Sequence, residues 1–198
     1  MDIEITPKVK RSFELDPKNE LAIRNAYNTP QKSYNCAGLA LRAYNWITPY
    51  SEEEDEDYDD YDPYTETDRE CLIEDWLNDD GCSEDEVANK ILIKDAEQLV
   101  KRFPFLQQVK LEDTKDSDIV IAYRLFIKAD KLTNDRYIID DTDFHFKVRY
   151  NGFWFEKLGG GRTTICDLDP DDCWEYIDGD LIYDSDIIYF KDTRGMDI

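Results

Sequence analysis

The chain contains one histidine and two methionines among 198 residues, and it is poor in basic groups. Lys and Arg number 24 against 47 Asp and Glu, which gives a formal net charge of −23 and a pI near 4.2. A surface this acidic repels phosphate backbones and anionic bilayers, so direct binding to nucleic acid or membrane is not expected. No C-x-x-C pair occurs, and the cysteines (Cys36, Cys71, Cys82, Cys166 and Cys173) are odd in number. That count and spacing suit neither a disulfide framework nor a zinc site, and no metal or cofactor is expected. The acidic positions Asp167, Asp169, Asp171 and Asp172 lack the Gly at the sixth place and the Glu at the twelfth that a calcium loop needs. Leu158-Gly159-Gly160-Gly161-Arg162 leads into no clear helix and makes a poor phosphate loop. No apolar run is long enough to span a bilayer, and Met1-Asp2-Ile3-Glu4-Ile5 has no apolar signal-peptide core. The expected setting is a reducing cytoplasm, the cell's own or a host's.

What is present suits a packed interior. Hydrophobic residues make up 41% and aromatics 13%, well spread along the chain. The length predicts one domain over residues 1–198, interrupted by an acidic loop insertion at about 51–69. Within it, residues 51–62 read Ser-Glu-Glu-Glu-Asp-Glu-Asp-Tyr-Asp-Asp-Tyr-Asp, a run that repels itself and cannot bury its side chains. It reads as a solvated insertion, a docking segment for a basic partner, or a weak cation-binding segment.

Tyr34-Asn35-Cys36-Ala37-Gly38-Leu39-Ala40-Leu41 is the centre of the chain. Asn35 is a good N-cap, which starts a helix at Cys36. Ala40, Leu41, Tyr44 and Ile47 recur at helical spacing, so the helix is expected to run to about Ile47 and stop before Pro49. Its dipole would favour a thiolate at Cys36. Upstream, a short strand at residues 3–9 and a short helix at 20–27 are expected. Downstream, a short acidic helix is expected at residues 70–80. Ser83-Glu84-Asp85-Glu86 reads as a capping box that opens a helix over residues 84–103, stopped by Pro104.

Beyond Pro104 the periodicity changes to that of strands. Residues 105–110 form a short strand, and the nearly continuous apolar run at 118–127 suggests a central strand buried on both faces. Residues 137–139 extend it or start another. Asp143 to Tyr150 alternates, Asn151-Gly152 signals a tight turn, and Phe153 to Lys157 alternates back. This register pairs Tyr150 with Phe153, Arg149 with Trp154, Val148 with Phe155 and Lys147 with Glu156. His145, Lys147, Arg149, Trp154 and Glu156 then share one face, while Phe146, Val148, Phe153 and Phe155 face the main core. Residues 163–184 read as irregular, and residues 186–191 form a last strand.

A cysteine at a helix mouth and a histidine on a strand are the parts of a cysteine hydrolase: the imidazole takes the thiol proton, and the resulting thiolate attacks a carbonyl. Three fragments carry a resemblance: Asn35-Cys36-x-x-x-Ala40-Leu41, Asp143-x-His145-x-x-x-Arg149 and Gly152-x-Trp154-x-x-Lys157-x-Gly159. Together they resemble the papain-like, NlpC-type cysteine peptidase superfamily, over about residues 33–48 and 118–191. The resemblance implies an α+β fold in which an N-terminal helix carrying the cysteine packs on an antiparallel sheet. It implies Cys36 as nucleophile and His145 as base, with Glu156 or Asp143 orienting the imidazole. The Cys36 amide and the Gln31 or Asn35 side chain are the candidate oxyanion donors. Trp154 and Lys157 read as framework, with Lys157 anchoring the glycine turn. The other four cysteines sit in acidic surroundings and are expected to be less reactive than Cys36.

Two functions follow. One is a hydrolase acting on an amide, thioester or isopeptide bond of a protein or peptide, through an acyl-enzyme. The other is a catalytically silent acidic binding or inhibitor protein on the same fold, docking on a basic partner or mimicking nucleic acid.

Overall fold

The computed structural model describes residues 34–43, 45–50, 64–150, 152–157, 163–166, 174–175, 182–183 and 185–194. The strand expected at 3–9, the helix at 20–27, Gln31, the acidic run 51–62 and the glycine turn lie outside these residues.

The architecture is α+β. Helices α1 (Cys36–Ala40), α2 (Glu66–Asn78) and α3 (Glu84–Arg102) precede the strands. Strands β1 (Leu106–Val109), β2 (Val120–Lys131), β3 (Tyr137–Tyr150), β4 (Phe153–Lys157), β5 (Thr163–Cys166) and β8 (Ile188–Asp192) form one antiparallel sheet in the order β1-β8-β2-β3-β4-β5. Strands β6 (Trp174–Glu175) and β7 (Ile182–Tyr183) make a separate two-stranded ribbon.

Helices α2 and α3 start where local chemistry starts them. Thr65 with Asp68, and Ser83 with Glu86, each form a reciprocal capping box, and acidic first turns complement the helix dipole. The onset at Glu66 makes the end of the segment assigned to a loop through about 69 helical. In α3, Val87, Ile91, Asp95 and Leu99 fall on one buried stripe that faces β2. Asp95 is the polar member of that stripe. Its Oδ2 accepts from Arg69 Nε at 3.2 Å and from the Tyr123 hydroxyl at 2.6 Å. Arg69 Nη1 donates to Thr142 Oγ1 at 2.9 Å, so this buried network ties α2, α3, β2 and β3 together.

Helix α1 is a correction to the sequence reading. It ends at Ala40, not near Ile47. The chain reverses at Arg42, whose φ is +55°. Asn35 then holds the returning segment: Ile47 N donates to Asn35 Oδ1 at 3.2 Å, and Asn35 Nδ2 donates to the Ile47 carbonyl at 2.6 Å. The same Oδ1 caps α1 by accepting from Gly38 N at 3.0 Å. The Asn45 carbonyl lies over Gly38 so closely that a Cβ there would collide with it. At the other end, Asp192 of β8 binds Arg42 Nη2 at 2.7 Å and Arg194 Nη2 at 2.6 Å, and Arg194 also donates to the Leu41 carbonyl. Tertiary contacts, not helical propensity, set the length and place of α1.

β2 is buried on both sides. Ile121, Tyr123 and Leu125 join the core beneath the helices, while Val120, Ala122 and Phe126 join a smaller cluster with Trp154, Trp174 and Tyr183 on the opposite face. Residues 137–139 belong to the same long strand, β3, as the hairpin. The hairpin register is the one expected, Lys147 with Glu156 through Tyr150 with Phe153, and Gly152 takes φ +81° at the turn. Residues 163–184, read as irregular, contain β5, β6 and β7. No helix among the described residues is long and apolar enough to cross a membrane.

Candidate active site

The β3–β4 ladder runs from the turn as far as Lys147 and Glu156. Residues 143–146 of β3 lie beyond it, and α1 packs against both strands, with Cys36 at Phe144. This placement carries the first residue of α1 to His145. Cys36 Sγ donates to the Phe144 carbonyl oxygen at 3.9 Å, one residue before His145, and the sulfur is near enough to the imidazole to favour its charged form. Both are almost fully buried, Cys36 at 4% exposure and His145 at 3%.

Glu156 approaches the imidazole from the neighbouring strand. Its Oε2 is 3.4 Å from His145 Nε2 and 3.4 Å from Lys147 Nζ. Lys147 is its direct cross-strand partner, and His145 is the diagonal neighbour on the same face. Burial on its own favours the neutral ring, but contact with Cys36 and Glu156 outweighs it and raises the imidazole from 6.5 to about 9. The imidazole lies beside a sulfur and a carboxylate, both of which favour its charged form.

Asp143, the other orienting candidate, is engaged elsewhere. Its Oδ2 accepts from the Tyr183 hydroxyl at 2.7 Å and its Oδ1 from the Phe144 amide at 2.7 Å. Asn35 is the cap and clamp described above, and its side chain is committed to Gly38 and Ile47. That engagement argues against Asn35 as an oxyanion donor.

Three aromatic and cationic neighbours were not singled out from the sequence for this role. The Tyr183 and Trp174 rings cover His145 at centroid distances of 5.4 and 5.7 Å, and Lys147 Nζ lies 4.5 Å from the Trp174 ring. Two-residue strands leave no periodic signal, so their place on the imidazole was not legible. Lys157, read as an anchor for the glycine turn, is buried completely, with Nζ 4.8 Å from the ring of Tyr34. Burial pushes its ammonium down, and the Cys36 sulfur opposes this. Strand parity carried the signal: Lys157 falls on the Phe153 and Phe155 side, toward α1.

Of the other cysteines, Cys71 is exposed and Cys82 is partly buried. Lys90 Nζ donates to Cys82 Sγ at 3.1 Å, so the surroundings of Cys82 are not purely acidic. Cys173 lies outside the described residues. Among the described residues, no group of three or more His, Cys, Asp or Glu side chains is arranged to hold a metal ion.

No protein-family model, curated protein or solved structure matches the chain.

Proposed function

We propose that the chain is a cysteine hydrolase of papain-like arrangement that cleaves an amide, thioester or isopeptide bond of a protein or peptide. The observation that carries this reading is the continuous contact Cys36–His145–Glu156, made by a helix start and two strands. Glu156 lies at Nε2, which leaves Nδ1 as the nitrogen to take the thiol proton in this reading. The imidazole takes the thiol proton, and the thiolate attacks the carbonyl carbon. Negative charge develops on the carbonyl oxygen, and the Cys36 backbone amide in the first turn of α1 is the candidate donor to it. The imidazolium then protonates the leaving group, giving an acyl-enzyme. His145 next removes a proton from water, which attacks the acyl carbon and releases the acid and the free thiol. Glu156 fixes the ring orientation and balances its charge. A reducing cytoplasm suits the free thiol.

The test is alkylation of Cys36 across pH, read by mass spectrometry with the remaining cysteines as internal controls. An ordinary thiol titrates near about 8.5. The proposal expects Cys36 to react well below that, and His145→Ala to slow the reaction at pH 6–7 by roughly tenfold or more. A Cys36 that reacts like the controls in the wild-type protein overturns it.

The charge of −23 and the near-complete burial of Cys36 and His145 favour a second reading, a silent binding protein that docks on a basic partner. It expects charge reversal within residues 52–62 to abolish function, Cys36→Ala to leave it intact, and the complex to weaken steeply with salt.

A further inference from the structure

Two contacts that the Cys–His–Glu scheme does not use meet at Tyr183 of β7. Its ring lies beside the imidazole of His145, with centroids 5.4 Å apart and planes inclined by 32°. Its hydroxyl donates to Asp143 Oδ2 at 2.7 Å. Asp143 stands two positions before His145 in β3, so the two side chains share a face. The other carboxylate oxygen of Asp143 accepts from the Phe144 amide at 2.7 Å, and the Phe144 carbonyl accepts from Cys36 Sγ. One tyrosine therefore reaches both halves of the site. Its ring meets the imidazole, and its hydroxyl leads to the strand segment that the thiol binds. The ring also has a footing outside β3. It packs edge-on against Phe126 of β2. Two residues further on, Ser185 exchanges hydrogen bonds with Leu125, and its carbonyl accepts from Arg124 Nε at 2.7 Å. Trp174, paired with Tyr183 across the ribbon, meets the imidazole edge-on at 5.7 Å.

We infer that Tyr183 is a positioning residue of this site: its ring sets the plane of the His145 imidazole, and its hydroxyl bond to Asp143 locks that ring to β3. The inference rests on the hydrolase reading and deepens it. An imidazole that takes a proton from sulfur and delivers it to a leaving group has to keep one orientation. Glu156 touches it at Nε2 alone, and one contact at a ring edge leaves the ring free to swing about that point. An aromatic face beside the ring removes this freedom. Asp143 then acts on the imidazole through the tyrosine. Among the described residues, the charged and titratable groups around His145 are Cys36 of α1, Arg124 as its direct cross-strand partner on β2, Asp143 and Lys147 of β3, Glu156 of β4 and Tyr183 of β7. One consequence separates a positioning role from a merely structural one. Below the ordinary thiol titration, near about 8.5, the thiolate forms only with the help of the imidazole, and above it the thiol ionises unaided. A residue that acts by orienting the imidazole matters in the first range and not in the second.

Alkylation of Cys36 by iodoacetamide, about two pH units below the ordinary thiol titration and about one unit above it, tests the inference. The proteins compared are the wild type, Tyr183→Phe, Asp143→Ala and the double variant. Tyr183→Phe keeps the ring and removes the hydroxyl. It is expected to slow the reaction about three- to tenfold at the lower pH, the worth of one side-chain hydrogen bond, and to leave the rate at the higher pH unchanged. Because the effect runs through Asp143, Tyr183→Phe is expected to add nothing in the Asp143→Ala background. An unchanged rate at the lower pH overturns the inference. So does equal slowing at both pH values, which marks a general loosening of the fold, and so does the same slowing with the Asp143 carboxylate absent. Tyr183→Phe is read at both pH values on its own, so the test stands if Asp143→Ala does not fold. If His145→Ala slows alkylation and Tyr183→Phe does not, this inference fails and the hydrolase reading survives. If Cys36 reacts as an ordinary thiol in the wild type, the hydrolase reading fails, and the inference falls with it.

Discussion

Glu156 holds His145 from a diagonal position across the β3–β4 hairpin, with Oε2 3.4 Å from Nε2. The turn at Gly152 sets the register that puts the two on one face, so a turn four residues from Glu156 and seven from His145 governs the orientation of the imidazole. Because the chain has a single histidine, its ring protons give one unambiguous NMR titration. The wild-type ring is expected to titrate near 9. Glu156→Gln removes an anion that favours the charged ring, so the midpoint should fall by about one unit. An unmoved midpoint would show that the carboxylate does not act on the ring.

The raised titration of His145 has a stability consequence. The folded imidazole holds its proton to about 9, while an unfolded one releases it near 6.5. Between these values the native imidazole holds a proton that the unfolded one has released, so the imidazole's own contribution to stability falls as pH rises, and release of the thiol proton from Cys36 offsets part of it. The contribution is fully present below 6.5 and lost through about 9, on the order of 3 kcal/mol in all. Urea unfolding from pH 6 to pH 10 should show this decline, and His145→Gln should remove the part due to the imidazole.

Asn35 serves both the helix cap and the returning chain. Asn35→Ala removes the bonds to Gly38 and to both backbone groups of Ile47. The expected loss is about 2–3 kcal/mol, more than a cap alone gives, because the Ile47 groups are left buried. Thermal unfolding measures it, and the alkylation rate of Cys36 should fall in parallel as the first turn loses its position.

Gly38→Ala separates propensity from packing. Alanine is favoured over glycine inside a helix by roughly 1 kcal/mol. Here the added methyl meets the Asn45 carbonyl, so the substitution is expected to destabilise. A rise in the melting temperature would contradict the close approach.

The Arg69–Asp95 pair has different roles for its two halves. Arg69→Met leaves the Asp95 carboxylate buried without its counter-charge and should cost about 3–5 kcal/mol. Arg69→Met combined with Asp95→Leu should recover a large part of that loss. Urea midpoints of the two variants decide between a pair that stabilises and one whose partners mainly offset each other's burial.

Legibility in the sequence followed the range of the interaction. Helix α3 was readable because its capping box and its apolar stripe are local, within four residues of each other along the chain. The hairpin was readable because a two-residue turn sets the pairing, and with it the shared face of His145 and Glu156. The end of α1 was not readable. Residues 40–47 carry a helical pattern, but the Asn45 carbonyl over Gly38 and the grip of Asn35 on Ile47 are made only when the chain folds back. Strands β6 and β7 escaped because two residues have no period. Lys157 was assigned to the turn that follows it in sequence, whereas its strand parity pointed toward the helix.

The contact of Cys36 with the β3 backbone spans 108 positions of sequence. Such a contact closes a long loop and forms only when most of the sheet is in place. A nascent or partly unfolded chain therefore carries Cys36 without the groups that surround it in the native fold. Assembly of the fold is in this sense what gathers these groups around the thiol.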